Sequence, residues 1–181
     1  MPKYIAFLRA INVGGHTVKM DQLRALFEEL GFSKVETFIA SGNVIFDSAA
    51  TNTATLEKKV EAYLQKSLGY AVATFIRTAA EIANVARYEP FAKSKTKGEH
   101  TIYIGFMASE PERQSLKNLM AAATEVDEFH VNGRELYWLL RTSFTESRFS
   151  GARLEKTLGQ ATTLRNTTTV RKLAAKYPPP K

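Results

Sequence analysis

Cysteine is absent from the 181 residues, which removes disulfides, thiolate nucleophiles and cysteine-built zinc or iron–sulfur centres together. Histidine is scarce: His16, His100 and His130 fall in three different segments with no i, i+4 pairing, so no metal site is expected. No apolar run is long enough to span a bilayer. The apolar opening from Tyr4 to Val13 is broken by Arg9 and lacks the small-residue cleavage site of a secretory leader. A soluble cytoplasmic protein is the expectation. Neither G-x-G-x-x-G nor G-x-x-x-x-G-K-[ST] occurs, there is no G-x-S-x-G elbow, and no acid–base pair is marked by spacing. The sequence therefore marks no catalytic residue and no cofactor.

What remains is ordinary for a protein with a real core: 44% apolar residues and 10% aromatic, over a length that suits one large domain or two small ones. The net charge of +7 is segregated. From Arg141 to Lys181 nine lysines or arginines face only Glu146 and Glu155, which accounts for the whole excess. Such a basic segment attracts nucleic acid, nucleotide phosphates or an acidic partner, or simply keeps a terminal region solvated.

Periodicity predicts a strand over Lys3–Leu8 and a helix over Lys19–Leu30, with Met20, Leu23, Leu26, Phe27 and Leu30 on one stripe and Gly31 as its stop. A hairpin follows, Val35–Ile39 and Val44–Phe46 about Ser41-Gly42-Asn43. Next come a helix from Leu56 to Leu68 stopped at Gly69, a strand at Ala71–Ile76, and a capping box, Thr78-x-x-Glu81, opening a short helix. Residues 91–99, with Gly98 and three lysines, read as a basic linker or mobile loop. The second half runs as a strand at Thr101–Met107, a capping box Ser109-x-x-Glu112, and a helix through Leu116, Leu119, Met120 and Ala123. A hairpin about Asn132-Gly133, a helix at Ala152–Leu158, a short strand at Ala161–Leu164 and a helix at Thr168–Lys176 complete it.

These elements repeat. The hairpin turns are 91 residues apart, the helices ending in Leu68-Gly69 and Leu158-Gly159 are 90 apart, and Tyr88 and Pro90 match Tyr177 and Pro178. Each half reads β-α-β-β-α-β plus one helix, the ferredoxin-like plan. The expectation is an α+β internal duplication: residues 1–90 as one repeat, 91–99 as linker, and 100–181 as the second repeat, packed together because one half alone is near the lower size for a stable core.

The repeat fails at one place. Aligning Ile5 with Ile102 leaves six additional residues between the first strand and first helix, within Arg9-Ala-Ile-Asn-Val-Gly-Gly-His-Thr-Val18. Gly14 and Gly15 can turn backbone N–H groups inward before a helix N-terminus, building an anion-binding concavity. Arg9 and Lys19 would add charge, Asn12 and His16 directional hydrogen bonds. The alternative is that the glycines merely let a long loop bend back over the sheet. Arg165-Asn166 offers a second phosphate clamp or, alternatively, a helix cap. Asn43 and Asn132 suit turns, and Asn43 is also placed to read a polar group. Trp138 alternates with Leu136 and Leu140 and belongs to the core. Tyr137 faces the other way, where it could stack a base on an open sheet face as in RNA-recognition modules, although the basic-aromatic signature of those modules is absent from the third strand, Asn43–Asp47. His130, beside the turn, reads as an exposed hairpin residue.

Phe7-Leu-Arg-Ala-Ile-Asn-Val-Gly-Gly15, Met20, Leu23, Leu30-Gly-Phe32 and Ser41-Gly-Asn-Val44 resemble the opening of the bacterial domain-of-unknown-function family 1697. Tyr137-Trp138, Thr162-Thr-Leu-Arg-Asn166 and Thr169-Val170 resemble its later landmarks, although Thr167 stands where the family pattern usually has tryptophan. The resemblance covers essentially the whole chain and implies the duplicated α+β fold without an established activity. The leading functional expectation is a non-enzymatic binder of a phosphate-bearing small molecule such as a nucleotide, or of RNA, with no membrane partner. The ligand lies between the Arg9–Lys19 loop and the basic segment after Arg141, its phosphate held by Arg9, Gly14, Gly15, Lys19 and Arg165 and a polar group read by Asn12 and Asn43, with His16 and Asn166 alongside. The alternatives are a small enzyme using His16 as acid–base and a homo-oligomeric interaction module.

Overall fold

The computed structural model describes residues 1–39 and 42–181. The turn residue Ser41 thus lies outside the described residues. The chain divides into two compact units, Met1–Asn84 with Leu173–Lys181, and Val85–Lys172.

The first unit contains β1 (Lys3–Leu8), α1 (Met20–Glu29), β2 (Ser33–Thr37), β3 (Asn43–Asp47), α2 (Thr53–Leu68), β4 (Thr74–Thr78) and most of α3 (Ala79–Arg87). Its sheet has the order β2-β3-β1-β4, antiparallel throughout. Leu23, Phe27, Val60 and Leu64 carry the helix stripes onto Val44, Phe46 and Ile76. Each such fully buried apolar side chain contributes roughly 1.5–3 kcal/mol before the entropy of ordering it is counted. Helix ends follow the expected chemistry. Asn52 Oδ1 accepts from Thr55 N at 3.0 Å to start α2, and Gly69, left-handed at φ 83°, stops it. The Thr78–Glu81 capping box closes both ways, at 2.8 and 3.1 Å.

The second unit repeats the pattern with β5 (Thr101–Met107), α4 (Arg113–Ala121), β6 (Asp127–Asn132), β7 (Glu135–Leu140), α5 (Gly151–Leu158), β8 (Thr162–Asn166) and the first part of α6 (Thr167–Lys176), in the sheet order β6-β7-β5-β8. Trp138 is fully buried among Met107, Leu119, Phe129 and Leu154, as its alternation predicts. Gly105, in the central strand, is needed for space: a Cβ there would meet Thr162 Oγ1 at 2.9 Å. Two ferredoxin-like units, each a βαββαβ run, are therefore the fold.

The strands expected at Val35–Ile39 and Ala71–Ile76 are shifted to Ser33–Thr37 and Thr74–Thr78, and three further details differ from the sequence expectations. Asn132 pairs with Glu135, so the two-residue turn is Gly133-Arg134, one position later than expected. Of its two central residues only Gly133 is left-handed, the signature of a turn with glycine first. The Ser109-x-x-Glu112 box does not form. Helix α4 starts only at Arg113, its cap Glu112 makes no side-chain cap bond, and Ser109 instead exchanges bonds with Gln160. The last strand, expected to end at Leu164, runs on to Asn166.

The ladders also align the repeats. Ile5 faces Arg77 and Ile45, and Ile104 faces Arg165 and Tyr137, so Ile5 corresponds to Ile104 rather than Ile102. Between strand and helix the first unit spends residues 9–19 where the second spends 108–112, the expected six more.

Candidate functional site

In the first unit, residues 9–19 form an exposed loop pinned from inside. Ile11 is buried, its carbonyl accepts from Tyr70 Oη at 3.0 Å, and Asn12 Oδ1 accepts from Val18 N at 2.7 Å. Asn12 thus closes a ring of backbone with the group expected to read a ligand. Gly14 and Gly15 are left-handed, at φ 68° and 84°, and both face open space. Glycine adopts that conformation more readily than any other residue. His16 lies flat against Tyr70, ring centroids 3.7 Å apart. Lys19 is exposed and caps α1 through its backbone, with no side-chain cap bond. Arg9 is half-buried and holds its strand end through N–H to Ala73 O at 2.9 Å. Asn43 is 1% exposed, and its Nδ2 donates to Phe38 O at 2.9 Å, which locks the hairpin end.

In the second unit the residues expected as a clamp separate. Arg165 is buried, with Nη1 donating to Thr163 Oγ1 at 2.8 Å and to Leu164 O at 2.9 Å, and burial pulls its guanidinium down to about 10. Arg77 holds the matching place in β4: fully buried, Nη1 on the carbonyl of Ile76 at 3.0 Å and 3.7 Å from Glu57. Asn166 takes the capping role, Oδ1 accepting from Thr168 N at 2.9 Å as β8 turns directly into α6.

At that turn lies a cavity of about 440 Å³. The pairing of Tyr103 with Asn166 sets the start of β5 beside the start of α6. One wall is Asn166, Thr167, Thr168 and Arg171. His100 and Ile102 of the β5 approach form another, and Tyr137 lies between. The remaining wall is the segment from Tyr88 to Thr96, which brings Glu89, Phe91 and Lys93. This segment, expected as linker or mobile loop, is anchored. Lys95 pairs with Glu128, Glu128 accepts from Arg141 Nη2 at 3.0 Å, and the same Nη2 reaches Lys95 O at 3.2 Å. The Lys95 bond, aided by Arg141, holds the Glu128 carboxyl below its usual range against the effect of burial.

The cavity is cationic in a usable way. Among the described residues, the side chains of Lys93 and Arg171 make no ion pair or hydrogen bond, and Glu89 pairs with neither. Elsewhere in the basic segment Arg141 is spent on Glu128, Arg153 lies over the Phe149 ring, and Lys176 bonds Glu36. His100 fixes its ring through Nδ1 and the carbonyl of Gly98, 2.9 Å apart, which leaves Nε2 for other partners. Tyr137 does not offer an open stacking face. It is 1% exposed, because Ile104 and Leu139 on the same sheet face are buried with it, and burial raises its phenol so that it stays protonated. His130 is half-buried rather than exposed, its Nε2 2.8 Å from Tyr88 Oη.

Of the residues expected to hold phosphate only Asn166 lines this cavity, together with Tyr137, expected as a stacking residue, and Arg171 of the basic segment. Lys93, His100 and Arg171 were not marked by any motif; the signal that could have found Arg171 is its place one turn into the final helix, after the capping Asn166.

The model of the family described as Protein of unknown function (DUF1697) matches residues 1–137. The chain is similar to the conserved bacterial protein SP0830 from Streptococcus pneumoniae, with a TM-score of 0.78 at 20% sequence identity over 98% of each chain. At that identity the likeness speaks to the fold alone. No curated protein matches the chain. No described helix is long and apolar enough to cross a membrane.

Proposed function

We propose that this chain, which belongs to the DUF1697 family, is a non-enzymatic binder of a phosphate-bearing small molecule, held in the cavity at the start of α6. One observation carries the reading: Lys93 and Arg171, both without a partner among the described residues, line the same cavity as the first turn of a helix. The Thr168 N–H is held by Asn166 Oδ1, but the helix dipole and the other N–H groups of that turn favour an anion at that position. Thr167 and Thr168 add hydroxyl donors, and His100 adds a ring nitrogen. The burial of Tyr137 argues for a small ligand in a cavity over RNA laid on a sheet face.

The loop of residues 9–19 offers related chemistry in the first unit, through Gly14, Gly15 and Lys19, and is the second place where phosphate would bind. Calorimetry with inorganic phosphate and nucleoside monophosphates tests both. Arg171→Ala is expected to weaken binding about tenfold, the weight of one charge-assisted bond, and to flatten its salt dependence. Lys19→Ala is expected to leave it unchanged. The opposite pattern moves the site to the loop, and salt-independent binding refutes the electrostatic premise.

A further inference from the structure

Only part of the cavity at the start of α6 is built for phosphate, and the rest points to what the phosphate is attached to. Its volume of about 440 Å³ lies inside the range of about 300–1,000 Å³ typical of sites that enclose whole small molecules. Inorganic phosphate would leave most of it filled with water.

Two features of the segment from Tyr88 to Thr96 have no use toward an anion. Phe91 is half-buried, lines the cavity, and among the described residues packs against no other ring. Tyr88 gives one side to Tyr137, with centroids 5.2 Å apart, yet remains 38% exposed. Such rings offer a face to a flat aromatic group. Glu89 lines the same cavity as Lys93 and Arg171 and pairs with neither, so the charges are held apart. A carboxylate is an acceptor only. It repels phosphate and welcomes N–H groups, so it suits the opposite end of a ligand that carries a phosphate at one end and hydrogen-bond donors at the other.

We propose that the cavity takes a nucleoside monophosphate whose base bears an exocyclic amino group, with the phosphate at Arg171 and Lys93, the base stacked on Phe91, and the amino group donating to Glu89. This inference rests on the phosphate reading above and adds the identity of the rest of the ligand.

Isothermal calorimetry on the full chain with CMP, UMP, ribose 5-phosphate and inorganic phosphate tests it. CMP and UMP differ at the edge that matters, amino against carbonyl. CMP is expected to bind roughly tenfold or more tighter than ribose 5-phosphate, the worth of one base stack, and several-fold tighter than UMP. Phe91→Ala should reduce CMP to the affinity of ribose 5-phosphate. Glu89→Gln should close the gap between CMP and UMP while leaving ribose 5-phosphate unchanged. Both substituted residues lie at the cavity wall rather than in the core, and circular dichroism verifies that the variants are folded. Equal affinity for CMP and ribose 5-phosphate overturns the proposal and leaves the phosphate reading standing. Equal affinity for CMP and UMP overturns the assignment of Glu89. Failure of all four ligands to bind overturns the phosphate reading itself.

Discussion

Asp127 opens β6 with no exposed surface, and three side-chain donors converge on its carboxylate. Trp138 Nε1 reaches Oδ1 at 3.0 Å, Ser147 Oγ reaches the same oxygen at 2.7 Å, and Thr124 Oγ1 reaches Oδ2 at 2.9 Å. One buried charge thereby joins β6, β7, the turn before β6 and the segment leading into α5. Taken singly, each bond to a charged group is worth roughly 1.5–3 kcal/mol. They do not add, because the carboxylate's own desolvation opposes them. Replacing Asp127 with alanine removes that penalty but strands the indole N–H and two hydroxyls. The expected net loss is about 3–5 kcal/mol, since each of the three stranded buried donors costs about 1–3 kcal/mol and the relieved desolvation offsets part of the sum. Trp138 is the chain's single tryptophan and has no exposed surface, so its fluorescence reports on this unit alone. With a urea slope of about 2 kcal/mol per molar, the unfolding midpoint should fall by about 2 M. Asp127→Asn, which keeps an acceptor for Trp138 and Ser147 but turns an amide toward Thr124, should cost about half as much. A midpoint for Asp127→Ala within about 0.3 M of the parent would show that the convergence of donors is geometrically neat and energetically idle.

Gly105→Ala forces a methyl against Thr162 Oγ1 and Leu136 and should destabilise the second unit by about 1–3 kcal/mol, read as a lowered thermal midpoint; an unchanged one means β5 and β8 have room to part. Asn12→Ala deprives Val18 N of its acceptor; amide exchange at Val18 should quicken while ligand affinity in the second unit holds. Glu128 gives a pH dependence. Its carboxyl is held below the ordinary range by Lys95, then Arg141, so the anchoring is complete above the unfolded value near about 4.3 and is lost as pH falls through the lower folded value. Amide exchange over residues 93–97, corrected for its intrinsic rate, should be flat at neutral pH and rise in acid. Glu128→Gln should show the raised level at every pH, and a parent profile that stays flat into acid would refute the anchor.

Most of the fold is legible in the sequence, because helix stripes, stop glycines and hairpin turns are local signals. Where the structure departs from those signals, a distant partner intervenes. Thr78-x-x-Glu81 and Ser109-x-x-Glu112 are the same pattern, yet only the first closes; Gln160, far along the chain, captures Ser109 and α4 starts late. Arg165 and Asn166 are neighbours that suggested one clamp, but Arg165 is buried within the second unit while Asn166 stands at the turn into α6. The cavity was hidden for a related reason. Lys93, His100 and Arg171 come from three parts of the chain and meet only because the β5–β8 ladder pairs Tyr103 with Asn166. No spacing rule encodes that. Arg77 falls one residue past the strand expected at Ala71–Ile76, and only the register reveals that it repeats Arg165.

The first compact unit is assembled from both extremes of the chain: residues 173–181 belong with residues 1–84, and Tyr177 Oη sits 2.6 Å from Glu36 Oε2. A ribosome therefore finishes all of β1 to β4 long before the piece that seals them exists. During that interval the nascent first unit must wait with one surface bare, a window in which a chaperone has something to hold. Cutting the gene between the repeats would not yield two independent proteins, because the upstream fragment would never receive its closing segment.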